Sequence, residues 1–302
     1  MTHSDTILCA GEVLWDVLGP TKKPGGAPMN VALHLARFGF RVQMFSRVGA
    51  DALGKELLDF MKSGGLDTGM VQTDPDLPTS RVLVTLDGNG NASYDIPGPV
   101  AWDRLEVPAE PDRQAAAPRV VVYGSLASRD PRSRKTIRTL LQGSALRVMD
   151  VNLRPPFTDR AVVKELLPLA QVAKMNDEEL VEIARWAGRT SGSLEEHMVW
   201  AAGEFGLERI VVTRGAEGAL LSDGGEIHRH PGFKVRVADT VGAGDAFLAG
   251  LVASHLEGRT PADSLAYACA TGALVASRTG GTPPYAMHEI QSILKPSSQG
   301  DA

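Results

Sequence analysis

The segment Asp239–Gly250, DTVGAGDAFLAG, places a carboxylate directly after a glycine-rich loop. Gly242, Ala243 and Gly244 are small enough to let backbone N–H groups approach an anion, and the predicted helix that follows points its N-terminal dipole at the same place. Asp245, in the first turn, can accept a proton from a hydroxyl that attacks a phosphoryl group. We expect this carboxylate to ionise readily, because a helix N-terminus favours an anion. The segment predicts a phosphate-transfer site.

The segment lacks the residues that define two other phosphate-binding motifs. The Gly-Lys-Ser/Thr of a Walker A loop is missing, and Phe247 stands where a dinucleotide fingerprint has its third glycine. A dinucleotide-dependent oxidoreductase would also need such a fingerprint near the first strand, and the Gly25-Gly26 region does not supply one. A glycine-rich loop in which Asp245 only caps a helix remains open on these residues alone.

A second polar group lies near the N-terminus. The segment GEVLWD ends a predicted strand at Asp16, and Gly25 and Gly26 precede a predicted helix that contains Asn30. Asp16 and Asn30 are suited to hold the hydroxyls of a polyol, and the glycines let a ligand approach the backbone closely. The structural alternatives are a turn residue for Asp16 and a buried helix start for Asn30.

Strand-like and helix-like segments alternate, and their positions predict how these residues are held. This alternation predicts an α/β fold with a mostly parallel central sheet flanked by helices. The predicted strands are Thr6–Val13, Arg41–Val48, Arg119–Tyr123, Leu146–Val151, Val172–Met175 and Arg209–Thr213. The predicted helices are Pro28–Phe38, Ala52–Lys62, Ser133–Leu141, Ala161–Leu169, Asp177–Trp186, Gly244–Leu256 and Pro261–Ser277.

A β-hairpin signal interrupts the alternation between residues 71 and 97, with turn residues at Asp87–Asn91. It predicts a small antiparallel sheet, built from about 14–24 and 71–98, which forms either a lid over a site or an appendage. The whole chain, 1–302, is expected to be a single domain. The exposed edges of a small sheet would also allow a homodimer to form through the lid.

Composition narrows the class of protein further. The 302 residues are 43% hydrophobic and 22% charged, with a formal net charge of -5, which argues against a nucleic-acid or membrane-surface partner. Cys9 and Cys269 are far apart in apolar settings, as expected of core thiols in a reducing compartment. No signal peptide and no apolar run of membrane-spanning length are present, so we expect a cytoplasmic protein.

Taken together, these motifs resemble those of the ribokinase-like (PfkB) carbohydrate kinases over nearly the whole chain. Two signatures carry the resemblance, GGAPMNVALHLARFG from Gly25 and DTVGAGDAFLAG from Asp239. Between them, NDEE at 176–179 and VTRGAEG at 212–218 are similar to family elements for metal and nucleotide. The resemblance implies an ATP-dependent sugar kinase with a ribokinase-like fold.

The resemblance also implies a role for each matching residue. Asp245 would be the base, and the N–H groups of Gly242, Ala243 and Gly244 would form the anion hole. The sugar would be held by Asp16, Gly25, Gly26 and Asn30. Thr213, Gly215 and Gly218 would lie against the nucleotide.

The implied roles of Arg154, Asn176 and Glu179 each have a structural alternative. Arg154 would reach towards phosphate or sugar, and an exposed pair with a carboxylate is the alternative. Asn176 and Glu179 would position hydrated Mg²⁺, and an acidic helix start that Asn176 caps is the alternative.

A monovalent cation site is implied only in part. Asp239 and the backbone of Val241 match the family's potassium site, with Arg278 and Gly280 as further carbonyl donors. Pro284 stands where related chains often have a serine ligand.

Within the family, the chain looks nearest to the fructokinases, with segments such as GEVLWD and DVNLRP. Fructose is therefore the expected substrate. Ribose, 2-keto-3-deoxygluconate and nucleosides remain alternatives, as does a kinase-like sensor that binds sugar without turnover. Such sensors tend to lose the base or the glycine loop, and both are present in this chain.

Overall fold

The computed structural model describes residues 6–86, 92–108, 118–143 and 146–295. The strands are β1 Thr6–Ala10, β2 Leu14–Leu18, β3 Thr21–Gly25, β4 Arg41–Gly49, β5 Val71–Asp74, β6 Ser80–Leu86, β7 Ala92–Asp95, β8 Val120–Gly124, β9 Leu146–Asp150, β10 Val172–Asn176, β11 Arg209–Thr213, β12 Ala219–Asp223 and β13 Glu226–His230. The helices are α1 Ala27–Arg37, α2 Ala52–Ser63, α3 Pro131–Leu140, α4 Arg160–Leu166, α5 Asp177–Trp186, α6 Leu194–Phe205, α7 Ala243–Leu256, α8 Pro261–Ala276 and α9 Met287–Leu294.

The main sheet has nine strands in the order β13-β12-β11-β10-β9-β8-β1-β4-β5. The strands from β11 to β5 are parallel, and β12 and β13 extend one edge as an antiparallel hairpin. The predicted mostly parallel sheet is therefore confirmed. The predicted elements agree with the observed ones to within a few residues, whereas α6, α9 and the β12–β13 hairpin were not predicted.

Alternating side chains of the parallel strands pack into two cores, one on each face of the sheet. Tyr123 and Met149 lie in the core formed with α3 to α6, whereas Val122 and Val148 lie in the core formed with α1, α2, α7 and α8. Both faces are buried because parallel strands are covered by helices on each side. Helix α7 is buried along almost its whole length, which fixes the loop before it.

The small sheet has the order β3-β2-β6-β7. Strand β6 pairs in parallel with β2 and antiparallel with β7, and β2 pairs antiparallel with β3. The predicted lower boundary at residue 71 is wrong, because Val71–Asp74 pairs with β4 and extends the main sheet instead. The predicted turn at Asp87–Asn91 lies outside the described residues.

The order of the main sheet reverses next to β1. The chain proceeds from β1 through β4 to β5 on one side, then from β8 to β11 on the other. In open α/β sheets such a switch point creates a crevice at the carboxyl ends of the strands, where ligands bind. Among the described residues, no helix is both long and apolar enough to cross a membrane.

Candidate functional site

Asp245 lies in the first turn of α7 and faces Asn30 of α1. The Asn30 Nδ2 atom donates a hydrogen bond of 2.8 Å to Asp245 Oδ2, across 215 positions of the sequence. Both side chains are buried, with relative exposures of 8% for Asp245 and 5% for Asn30. The bond joins the first turn of α7 to α1 through Asp245 Oδ2.

The expectation that Asp245 ionises readily is wrong, because its pKa is raised and not lowered. Burial raises the pKa of Asp245, and the nearby charge of Asp150 raises it further, whereas Lys174 and the Asn30 hydrogen bond oppose the rise. The helix N-terminus is therefore outweighed by loss of solvent and by a second carboxylate. A carboxylate with a raised pKa is a stronger proton acceptor once it is ionised.

The glycine loop before Asp245 is packed too tightly to accept a side chain at Gly242. Gly242 has φ 74°, and a Cβ atom there would overlap the backbone of Gly281. A Cβ atom on Gly244 would lie 3.1 Å from Lys174 Nζ. The predicted anion loop is thus supported on one side by the 281 backbone and on the other by a buried ammonium group.

Lys174 and its partner Asp150 were not predicted as site residues. Lys174 Nζ lies 3.0 Å from Asp150 Oδ1 and 3.2 Å from Oδ2, and both side chains are buried. Burial lowers the pKa of Lys174, but the charges of Asp150, Glu179 and Asp245 outweigh it and raise the pKa overall. The sequence could have indicated this pair, because Lys174 is a charged residue within the apolar strand VAKMN. A lysine is buried in a strand only when it has a partner of opposite charge.

Asn176 and Glu179 form a capping box at the start of α5. Asn176 Oδ1 accepts from the Glu179 N–H at 2.7 Å, and Glu179 Oε2 accepts from the Asn176 N–H at 2.8 Å. Glu179 Oε1 accepts from the Leu153 N–H at 2.7 Å. The structural alternative, a helix start that Asn176 caps, is therefore present in the structure.

The charges around Glu179 fit a hydrated divalent cation. The carboxylates of Asp150, Glu179 and Asp245 share one ammonium group, and burial with Asp150 nearby raises the pKa of Glu179. Mg²⁺ prefers oxygen ligands and keeps several waters. In the part of the chain that the structure describes, no three His, Cys, Asp or Glu side chains are arranged to ligate a metal directly.

In the predicted sugar site, Asp16 and Gly25 lie in contact. A Cβ atom on Gly25 would overlap Asp16 Oδ2, and one on Gly26, whose φ is 114°, would overlap the carbonyl of Glu12. Burial raises the pKa of Asp16 to about 6, although the Arg154 charge lowers it. Arg154 is exposed, and its charge acts on Asp16 and Asp245, so it lies near the predicted sugar site.

Glu12 was also missed, although it stands in the GEVLWD segment. It is 3% exposed, and its Oε2 atom has no hydrogen-bond partner among the described residues. Burial raises the pKa of Glu12 to about 7, and the charge of Asp245 contributes to the rise. Glu12 lines a pocket at the switch point, with Asp150 and Asn152.

The predicted nucleotide residues follow the end of β11. Thr213 is in register with Asn176 on β10, so it lies beside the predicted metal residue. Gly215 has φ 53° and begins a tight turn. Gly218 has φ 80°, and a Cβ atom there would overlap the carbonyl of His230, so close backbone packing already requires this glycine.

Asp239 joins the two loops of the predicted monovalent cation site. Its Oδ1 accepts from the Val241 N–H at 3.0 Å, and its Oδ2 accepts from the Gly280 N–H at 2.9 Å. The Arg278 guanidinium donates to the Pro284 carbonyl and pairs with Glu289. The loops are thus close together, as a shared site would need.

Known proteins with similar sequence or structure include sugar kinases. The chain matches the pfkB family of carbohydrate kinases over residues 3–287. It is 30% identical to a fructokinase of Escherichia coli over 255 residues, 76% of each chain.

Solved structures with a similar fold are also sugar kinases. A Vibrio cholerae O395 fructokinase with fructose, ADP and calcium has a TM-score of 0.84 at 27% identity, covering 96% of this chain and 99% of that one. A double mutant of that protein, with fructose, ADP and potassium, has the same score and identity, covering 97% and 100%. A Xylella fastidiosa fructokinase with ATP has a TM-score of 0.85 at 26% identity, covering 96% and 98%. With the glycine loop, Asp245 and Asn30 in the crevice of such a fold, this chain belongs to the pfkB family of carbohydrate kinases.

Proposed function

We propose that this kinase is a fructokinase, which transfers the γ-phosphate of ATP to a hydroxyl of fructose. The observation that carries the proposal is the buried pair of Asp245 and Asn30 beside the Gly242–Gly244 loop. A fructokinase of similar fold has been solved with fructose and ADP, which favours fructose over other sugars. Ribose, 2-keto-3-deoxygluconate and nucleosides are the alternative acceptors within the family.

In the proposed mechanism, Asp245 accepts the proton of the attacking sugar hydroxyl. The sugar oxygen forms a bond to the γ-phosphorus as the bond from that phosphorus to the bridging oxygen breaks, and ADP leaves. Asn30 orients the carboxylate through its 2.8 Å hydrogen bond. Asp16 and the backbone at Gly25 and Gly26 hold the other sugar hydroxyls.

The developing negative charge would be stabilised by groups that are already in place. The N–H groups of Gly242, Ala243 and Gly244 form the proposed anion hole, and the buried Lys174 ammonium lies against Gly244. Such preorganised donors favour the transition state because they need no reorientation during the reaction. Arg154, which is exposed, is proposed to contact phosphate or sugar.

The proposed cofactors are Mg²⁺ and K⁺. Asn176 and Glu179 would hold Mg²⁺ through water, and when bound the metal would offset the charge of the ATP phosphates. Asp239 and the carbonyl groups of Val241, Arg278 and Gly280 would form the K⁺ site. The presence of potassium in the Vibrio structure supports this second site.

The nucleotide is proposed to lie along Thr213, Gly215 and Gly218. Because its phosphoryl donor is ATP and its cysteines are expected to be reduced, the protein is proposed to act in the cytoplasm.

We also propose a homodimer through the small sheet, where Leu18 and Leu83 are 44% and 47% exposed.

Release of ADP coupled to a panel of sugars tests the proposed function. Fructose, ribose and 2-keto-3-deoxygluconate should be compared, with fructose expected to give the highest kcat/KM. Release of ADP with another sugar only would reject fructose as the substrate. Sugar binding without any release of ADP would indicate a sensor.

Asp245→Asn tests the assignment of the base in the same assay. We expect kcat to fall by roughly 10²–10⁴-fold, because the amide cannot accept the proton. Asp263→Asn, at an exposed position in the first turn of α8, is the matched control and should keep its turnover. Near-normal turnover of the Asp245 variant would reject the assignment.

A further inference from the structure

Helix α1 holds the loop that follows α8 through a buried histidine. His34 has 0% exposure, and its Nε2 lies 3.0 Å from the Gly281 carbonyl oxygen. Its Nδ1 lies 2.8 Å from the hydroxyl oxygen of Tyr285, and the two rings are stacked at 5.7 Å. The imidazole therefore bridges the two ends of a five-residue loop.

The two contacts define which nitrogen carries the proton. A carbonyl oxygen only accepts, so Nε2 must donate to Gly281. Burial lowers the pKa of His34 to about 4, so the ring is neutral at pH 7 and Nδ1 accepts from the Tyr285 hydroxyl. Tyr285 thus selects the tautomer that binds Gly281.

The Gly281 backbone packs against the anion loop, Gly242–Gly244, at Gly242. A Cβ atom on Gly242 would overlap Gly281, and a Cβ atom on Gly281 would lie 3.0 Å from Asn30 Nδ2. A displacement of Gly281 would therefore be transmitted to the backbone at Gly242 and to the amide that orients Asp245.

The same face of α1 supplies the contacts to both the base and the loop. Asn30 and His34 are four residues apart, which places them on one helix face. One turn further, Arg37 donates to the Pro283 carbonyl at 2.7 Å, and its guanidinium lies 4.5 Å from the Tyr285 ring centre. Helix α1, which carries Asn30, is therefore held by hydrogen bonds to the 281–285 loop that packs against the anion loop.

We propose that His34 and Tyr285 are positioning residues for phosphoryl transfer, which hold Gly281 against Gly242 and so set the geometry of the anion hole. This inference rests on the proposed kinase mechanism. Neither residue is required to touch sugar or nucleotide. Their loss should therefore lower kcat and leave the KM values for sugar and ATP nearly unchanged, because catalysis depends on donor placement to within about 1 Å.

Two substitutions at His34 separate the two hydrogen bonds. In His34→Gln the amide nitrogen can occupy the position of Nε2 and keep the Gly281 bond, whereas in His34→Asn it lies near the position of Nδ1 and loses that bond. We expect His34→Gln to keep kcat within about threefold and His34→Asn to lower it about tenfold or more. KM values for fructose and ATP should stay within about twofold in both.

Thermal unfolding and backbone hydrogen exchange of residues 239–246 complete the test. The Asn variant should exchange faster there than the Gln variant, even where the two have similar Tm. His197→Gln and His197→Asn, at a histidine 3% exposed in α6, are the control pair and should not change kcat.

The outcomes separate this inference from the proposed function. Equal kcat and equal exchange in the two His34 variants would overturn the positioning role, as would losses of kcat that only follow Tm. A wild-type protein that releases no ADP with any sugar would instead reject the proposed function. In that event the exchange measurement still decides whether His34 holds the loop at Gly242.

Discussion

Three carboxylates are buried in the crevice at the switch point of the main sheet. Glu12, Asp150 and Asp245 are 3%, 4% and 8% exposed, and the buried ammonium group of Lys174 lies near Asp150 and Asp245. Like charges in a poorly solvated site raise one another's pKa, so such a cluster has an excess of negative charge that a cation can relieve. At the scale of single residues, the site is therefore suited to receive a cation and a proton.

Glu12→Gln should change how stability depends on pH. Burial raises the pKa of Glu12 from 4.5 to about 7, so between these values the folded state holds a proton that the unfolded state has lost. The contribution of Glu12 to stability is thus present below pH 4.5 and lost as pH rises through 7. From pH 5 to pH 8, we expect the unfolding free energy of the variant to rise relative to wild type by about 2 kcal/mol.

Urea unfolding of the ligand-free protein at several pH values measures this difference. Glu178→Gln, at an exposed position of α5, is the matched control and should show the same pH dependence as wild type. A difference between the Glu12 variant and wild type that is constant across pH would contradict the prediction.

At the scale of elements, the N-terminus of α7 depends on its contact with the 281 backbone. Gly242 is both the left-handed residue before the helix and the point of contact with Gly281. Two requirements therefore meet at one glycine: a positive φ and the absence of a side chain. Gly26 and Gly218 combine the same two requirements, whereas Gly258 has the positive φ without the steric one.

Gly242→Ala should lower turnover at least about tenfold, because the added methyl group displaces either the anion loop or the 281 backbone. Gly258→Ala is a closely matched control, since Gly258 has φ 71° at the other end of α7 and nothing lies within 4 Å of a Cβ atom there. It should lose about 1 kcal/mol of unfolding free energy and keep its turnover. Steady-state kinetics and urea unfolding of both variants test this, and equal turnover losses would contradict it.

At the scale of the whole molecule, the small sheet contains Asp16 of the proposed sugar site and also carries the exposed residues Leu18 and Leu83. Its edge strand β3 contains Lys22, Lys23 and Pro24, residues that oppose edge-to-edge pairing. An interface through the faces of the sheet is therefore favoured over one through this edge. Burial of Asp16 would then depend on the neighbouring subunit as well as on this chain.

The double variant Leu18→Glu/Leu83→Glu should convert a dimer to a monomer, because it places charges on both faces of the sheet. Light scattering after size-exclusion chromatography should give twice the mass of one chain for wild type and the mass of one chain for the variant. Val199→Glu, at an apolar position 54% exposed on α6, should remain dimeric. A monomeric wild type would reject the proposed interface.

The sequence by itself determined the fold class and the parts of the site that are local in the chain. Strand and helix periodicity indicated the parallel sheet, and the glycines before Asp245 indicated an anion loop, because both depend on residues within a few positions of one another. The hydrogen bond between Asn30 and Asp245 was not predicted, because it joins residues 215 positions apart. The pairing of Val71–Asp74 with β4 could not be predicted from that segment alone, because it depends on which strand lies next to it in the fold.

Only the tertiary structure decided the environment of these residues. The environment could not be predicted for Lys174, Glu12 and His34, because it depends on burial and on residues that are distant in the sequence. The contact of His34 with Gly281, for example, spans 247 positions. The direction of the Asp245 pKa shift likewise depends on loss of solvent and on Asp150, and these effects outweigh the helix N-terminus. Burial and charge depend on which elements meet in three dimensions, so the sequence specified the reacting groups and the fold determined their electrostatics.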